Sequence, residues 1–132
     1  MKFIDANIFL EIMLEDKNAD RCFAFFDNMN NEDTEIATSD YIIYTGLLQI
    51  ESKIRSLKLM EEFIYYINNI KNLRIIRPSI KVIYNSLSIS DKYNLDYEDS
   101  IILQTAISTK STELVSFDKH FDKVKEIKRI EP

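Results

Sequence analysis

The strongest constraint on this chain is an alternation. Short apolar runs, Phe3-Ile4-Asp5, Glu35-Ile36-Ala37-Thr38, Leu73-Arg74-Ile75-Ile76 and Glu113-Leu114-Val115-Ser116, are separated by longer stretches with helical spacing of apolar residues. That spacing predicts helices over 7–14, 18–29, 41–54, 56–70 and 79–89, and a sixth that Asp96 caps and that buries Ile101, Ile102, Ala106 and Ile107. Glu126 to Ile130 reads as a last short strand. Strands alternating with helices predict a parallel sheet covered on both faces. The expected fold is therefore α/β, a three-layer α/β/α sandwich around a central, mainly parallel sheet of four to five strands. No repeat, low-complexity segment or linker interrupts the pattern, and 132 residues suit one domain, 1–132.

Scarcity excludes several chemistries. Gly46 is the only glycine, so no glycine-rich phosphate loop can be written, since each needs several glycines for tight turns and close backbone approach. Cys22 and His120 are single, which excludes an intrachain disulfide framework and a Cys/His zinc cluster and points to an intracellular, cytoplasmic location. The start, Met1-Lys2-Phe3-Ile4-Asp5, does not read as a signal peptide. Uncharged runs such as Tyr41 to Ile50 fall short of the ~20 residues a membrane span needs, so no membrane association is expected. With 17 basic and 22 acidic residues the formal charge is −5, which argues against a broad basic nucleic-acid surface but not a local one.

The remaining chemistry belongs to carboxylates, hydroxyls and amides. In a parallel sheet, ligands gather at the carboxyl ends of the strands. That rule brings Asp5, at the end of the first strand, to the same edge as Ser116 and Asp118 beyond a later one, with Asp99 in the first turn of the sixth helix. Clustered carboxylates repel one another, and a cation relieves the repulsion. An all-oxygen donor set suits Mg²⁺ or Mn²⁺. Each acid also has a structural reading: Asp99 favours the helix dipole and Asp118 caps a short turn. Asn7 either orients Asp5 or caps the first helix, and Ser116 either joins the site or satisfies a strand-end amide. Thr38 and Ser39 read as caps. Phe23, Phe25 and Phe26 read as core.

These residues bring a family into view. Phe3-Ile4-Asp5-Ala6-Asn7-Ile8 resembles the opening of PIN domains, whose first strand ends in Asp followed by a small residue and often Asn. Leu95-Asp96-Tyr97-Glu98-Asp99-Ser100-Ile101-Ile102 resembles their later segment, an acid opening an apolar helix. Leu114-Val115-Ser116-Phe117-Asp118-Lys119-His120-Phe121 resembles their closing segment. The order runs from residue 3 to residue 121. The resemblance implies an α/β/α nuclease of the kind found in VapC toxins of toxin–antitoxin pairs. It implies an Mg²⁺- or Mn²⁺-dependent endoribonuclease in which Asp5, Asp99 and Asp118 hold the metal and metal-activated water cleaves RNA phosphodiesters. It also implies a homodimer and a small antitoxin protein as partners. A phosphatase or response-regulator-like domain fits less well, because no Lys-bearing strand end accompanies the acids.

One position departs from the pattern. The family places a Glu about six residues after the Ser-Asp that opens the third helix, and here that position is Thr45. Glu51 lies six residues further on, and six helical residues turn through about 600°, so it points away from the Thr45 face. The departure supports an alternative reading, a catalytically degenerate PIN domain that binds protein or RNA without cutting. Gly46, beside Thr45, either permits close helix packing or widens a cleft. Lys119 and His120, next to Asp118, are the candidates for RNA-phosphate contact. Leu57, Leu59 and Phe63 are candidates for a contact with a second copy or an antitoxin.

Overall fold

The computed structural model describes residues 1–132. In chain order the elements are β1 (Lys2–Ile4), α1 (Ala6–Met13), α2 (Ala19–Asn31), β2 (Ile36–Ser39), α3 (Asp40–Ile54), α4 (Leu57–Asn69), β3 (Leu73–Ile76), α5 (Ile80–Tyr93), α6 (Tyr97–Ser108), β4 (Glu113–Val115), a 3₁₀ turn (Lys119–Lys123) and β5 (Lys128–Ile130). Polar residues at the element boundaries do the punctuating. The side chains of Asp5, Ser39, Ser56, Ser79 and Asp96 each accept a backbone N–H at the start of a helix. Such caps satisfy donors that the helix itself leaves unpaired.

All five strands are parallel, in the order β3-β2-β1-β4-β5. The chain moves one way from β1 through β2 to β3, then crosses back to β4. Right-handed crossovers therefore put α1 to α4 on one face and α5 with α6 on the other. The packing agrees: α1 contacts α2, α3 and α4, while α5 lies mainly on α6. The reversal of direction falls between β1 and β4, and open α/β sheets bind ligands in the crevice outside such a switch point. Asp5 and Ser116 are the residues directly after those two strands.

The core is continuous, with Phe3, Phe9, Ile36, Leu103, Leu114 and Val115 fully buried. Phe9 stacks on Phe26 and meets Phe63 edge-on. Two expectations fail here. Phe23 is 50% exposed, because it lies on the outer side of α2 while Cys22, Phe26 and Met29 face inward. Phe63 is core, 1% exposed, and offers nothing to a partner, although Leu57 on the same helix is exposed.

Phe63 also explains the lone glycine. A Cβ at position 46 would stand 2.8 Å from Phe63 Cζ and 2.9 Å from Cε1. Gly46 lets α3 and α4 approach closely; it is a packing device, not a cleft. Gly46→Ala gains up to ~1 kcal/mol in helix propensity but forces a buried ring aside, at a cost of about 1–3 kcal/mol. A net loss of stability is expected, read as a lower midpoint in thermal unfolding. A raised midpoint would show that Phe63 repacks freely.

Candidate functional site

The residue after β1 is the most constrained of the candidates. Asp5 is buried, and its backbone N–H continues the ladder to the Val115 carbonyl at 3.0 Å. Its Oδ1 accepts the Ala6 N–H at 2.7 Å. Its Oδ2 accepts from the Ser116 hydroxyl at 2.6 Å and the Asn7 amide at 3.1 Å. Burial pushes the carboxyl pKa up from 3.8 to about 6; the bonds from Ser116 and Ala6 oppose this, and the charges of Asp99 and Asp118 add to it. An acid held this way at a switch point stores electrostatic repulsion that a cation would relieve.

Ser116 is the hub that ties β4 to β1. While donating to Asp5, its Oγ accepts the Asp118 N–H at 3.0 Å and the Asn7 amide at 3.2 Å. A hydroxyl has one proton and two lone pairs, so all its capacity is used. Asn7 is the second tie. Its Oδ1 accepts the Phe117 N–H at 3.2 Å, which turns its Nδ2 toward Asp5 and Ser116. The first helix is capped by Asp5, so of its two readings Asn7 takes the orienting one. Arg129 braces the same loop from β5, donating to the Ser116 carbonyl at 2.8 Å.

Asp118 stands at the start of the 3₁₀ turn, where its Oδ1 accepts the His120 N–H at 2.9 Å. The His120 ring comes back over it: Nδ1 lies 3.2 Å from Asp118 Oδ1 and 3.5 Å from Asp99 Oδ2. Asp99, Asp118 and His120 thus bring one ligand-type atom each within 4.8 Å of one another, a group that could hold a metal ion. Burial and then the charges of Asp118 and Asp96 push the Asp99 carboxyl up from 3.8 to about 6, against the favourable bond from His120. His120 is the residue that sequence reasoning undervalued. Its spacing two residues after Asp118 was the available signal, because a turn opened by Asp118 folds that ring back onto the acid. Lys119 remains exposed and without an acidic partner.

A profile of the PIN domain matches residues 2–127. The chain belongs to the PIN domain family. No curated protein matches it in sequence. Solved structures share its fold at low identity. VapC20 of Mycobacterium tuberculosis, described as a Sarcin-Ricin loop cleaving toxin, superposes with a TM-score of 0.82 at 8% identity, covering 100% of both chains. VapBC2 of Rickettsia felis, bound to a DNA fragment from its promoter, gives 0.76 at 15% identity, covering 98% of this chain and 97% of that one. A toxin–antitoxin complex of Klebsiella pneumoniae gives 0.71 at 18% identity, covering 96% and 95%.

Thr45 itself brings no acid to the site of this PIN domain. Thr45 donates its hydroxyl to the Ile42 carbonyl of its own helix at 3.1 Å. Glu51 is exposed and lies beside Arg55, Leu57 and Met60 at the far end of α3. Glu11 accepts the Asn18 N–H ahead of α2, Glu15 is an exposed residue in the turn after α1, and Asp96 caps α6. Thr38 is no cap: it donates to the Ile4 carbonyl at 2.9 Å, tying β2 to β1. Ser39 caps α3 as expected.

The hub can be tested directly. Ser116→Ala leaves the Asp118 N–H without its acceptor and takes from Asp5 its shortest bond. The expected cost is about 1–3 kcal/mol, since buried polar groups lose their partners. The readouts are a lower unfolding midpoint and weaker stabilisation by added Mn²⁺. Unchanged values of both would mean that Ser116 only fills space.

Proposed function

We propose that this PIN domain is a metal-dependent endoribonuclease and the toxin half of a VapC-type pair. The carrying observation is Asp5: a buried carboxylate at the β1/β4 switch point, cross-tied through Ser116 to the loop that bears Asp118, with the charges of Asp99 and Asp118 beside it. The donor set fits a hard divalent cation, being carboxylate oxygen with one imidazole at its mouth. Asp5, Asp99 and Asp118 would hold it. A divalent cation bound there, Mg²⁺ or Mn²⁺, supplies activation of water and neutralisation of charge on the phosphodiester.

The protein's own part is placement. A carboxylate has about four lone-pair sites, and Asp5 spends three on Ala6, Asn7 and Ser116, which leaves one on Oδ1. Those bonds lock its orientation. Asp99 and Asp118 come from different elements, so their pairing is built by the fold and not by one loop. Lys119 offers an exposed ammonium beside Asp118 for an RNA phosphate. Cleavage proceeds by attack of water, with no covalent enzyme intermediate. The expected protein partners are a small antitoxin, a reading supported by the Rickettsia and Klebsiella assemblies, and a second copy of the chain. No helix is long and apolar enough to cross a membrane.

Thr45 favours a second reading, a PIN domain that binds protein or RNA without cutting. Its hydroxyl is engaged within α3 and brings no charge to the site. Incubation of a mixed single-stranded RNA pool with EDTA, Mg²⁺ or Mn²⁺ separates the two. Cation-dependent cutting supports the nuclease. No cutting under any condition, from folded protein free of antitoxin, assigns the chain to the binding module.

A further inference from the structure

A second hollow lies on the same edge of the sheet and is not lined by Asp5, Asp99 or Asp118. It has a volume of about 380 Å³ and is lined by Tyr41, Tyr44, Tyr97, Arg77 and Asp40, with Ile101 in its apolar wall. Tyr41 and Tyr44 are three residues apart on α3, and Tyr97 and Ile101 four apart on α6, so each pair shares one helix face. Tyr44 is 61% and Tyr97 50% exposed, and Tyr41 is half-buried. Arg77 follows β3 and forms no ion pair or hydrogen bond with the rest of the chain, unlike Arg21, Arg74 and Arg129. β3 is two strands from β1, so Arg77 stands about 10 Å along the edge from Asp5. Tyr97 sits in the same first turn of α6 as Asp99.

We infer that this hollow is a base-binding subsite for single-stranded RNA, one that takes a nucleobase next to the cleavage site while Arg77 holds the backbone at its rim. The inference rests on the ribonuclease reading and adds to it a place for the substrate. Its chemistry selects the occupant. Exposed phenol rings on two helices offer π faces, on which every base can stack. Asp40 inside the hollow repels a phosphate and can accept from a base N–H, so the neutral base enters and the phosphate stays outside. An unpaired guanidinium binds phosphate through paired N–H donors. Single-stranded RNA is the form whose bases are free to turn out in this way.

The test is binding of fluorescein-labelled oligo-uridine and oligo-adenosine of about 12 nucleotides, followed by anisotropy in EDTA so that nothing is cut. Tyr97→Ala and Tyr44→Ala are each expected to weaken binding roughly 10-fold, with Tyr97→Phe restoring it. Arg77→Gln is expected to lower affinity and reduce the salt slope by about one charge. Tyr65→Ala, an exposed tyrosine on α4 away from the hollow, should change nothing. Both truncated tyrosines are exposed, so folding is preserved. If Tyr97→Ala and Tyr44→Ala bind as well as the unaltered chain while Asp5→Asn still stops cleavage, the subsite is refuted and the nuclease reading stands. If the unaltered chain neither binds nor cuts RNA, the nuclease reading fails and the subsite falls with it. If the variants instead change the sedimentation coefficient, the face is a contact between copies and the inference is overturned.

Discussion

Asp5→Asn is expected to reduce cation-dependent RNA cleavage by more than about 100-fold, since even residues that only support a metal ligand cost 10–100-fold when changed. The loss should come without unfolding. Asn caps a helix as well as Asp does, so the bond from the Ala6 N–H survives. On the other side the new amide would face two donors, the Asn7 amide and the Ser116 hydroxyl. Ser116 cannot simply turn its proton away, because its lone pairs already serve Asn7 and the Asp118 N–H. Both bonds are therefore lost, at about 1–3 kcal/mol each. Against this, removal of a buried charge returns about 3 kcal/mol at neutral pH, the equivalent of raising a carboxyl from 3.8 to about 6. The two terms are of similar size, so the variant should remain folded at pH 7, as circular dichroism would show. A folded Asp5→Asn that cuts RNA at the original rate would reject Asp5 as a site residue.

The second large effect is on stability against pH in the absence of metal. Asp5 and Asp99 both titrate near 6 in the folded chain and near 3.8 when unfolded. Between these values the unfolded chain has released its protons and the folded chain still holds them. The unfolded state then binds fewer protons, so stability falls as pH rises and levels off above about 6. Glu126 works the other way. The Lys92 ammonium and the Tyr93 hydroxyl hold its carboxyl down to about 2, so its contribution is lost only as pH falls below its ordinary 4.5. The clean window is therefore above 4.5. Across pH 4.5 to 7 the Asp5 carboxyl alone should lower stability by about 2 kcal/mol, or roughly 5–10 °C in midpoint. Mn²⁺ or Mg²⁺ should reverse the fall, adding about 2.7 kcal/mol at a hundred times its Kd, and more at pH 7 than at pH 5, where protons compete. Asp5→Asn should flatten the slope. Calorimetry at several pH values with and without cation measures all of this. A midpoint that rises steadily from pH 4.5 to 7 and ignores both cations would mean that the acids do not form a charged cluster.

Much of this was legible in the order of the residues. Local periodicity and short polar caps are written in consecutive positions, so the strand–helix alternation, the caps at Ser39, Ser79 and Asp96, and the parallel sheet could all be read. The arrival of Asp5, Ser116 and Asp118 at one edge follows from the same alternation, because every parallel strand ends on the same side. What could not be read depends on which side chains meet across elements. Phe23 looks like its neighbours Phe25 and Phe26, yet its position on α2 turns it outward. Leu57 and Phe63 share one helix, and packing against α3 buries only the latter. Asn7 had two reasonable partners until the Phe117 N–H took its oxygen. His120 reaches Asp99 only because the crossover through α5 and α6 brings the start of α6 against the loop after β4. The tyrosines of the second hollow come from two helices, and no spacing within either one announces the other. Sequence determined the elements and the strand-end acids, since hydrogen-bonding capacity and apolar period are properties of neighbouring residues. Tertiary structure alone decided the contacts among them, since those depend on how helices pack across the sheet.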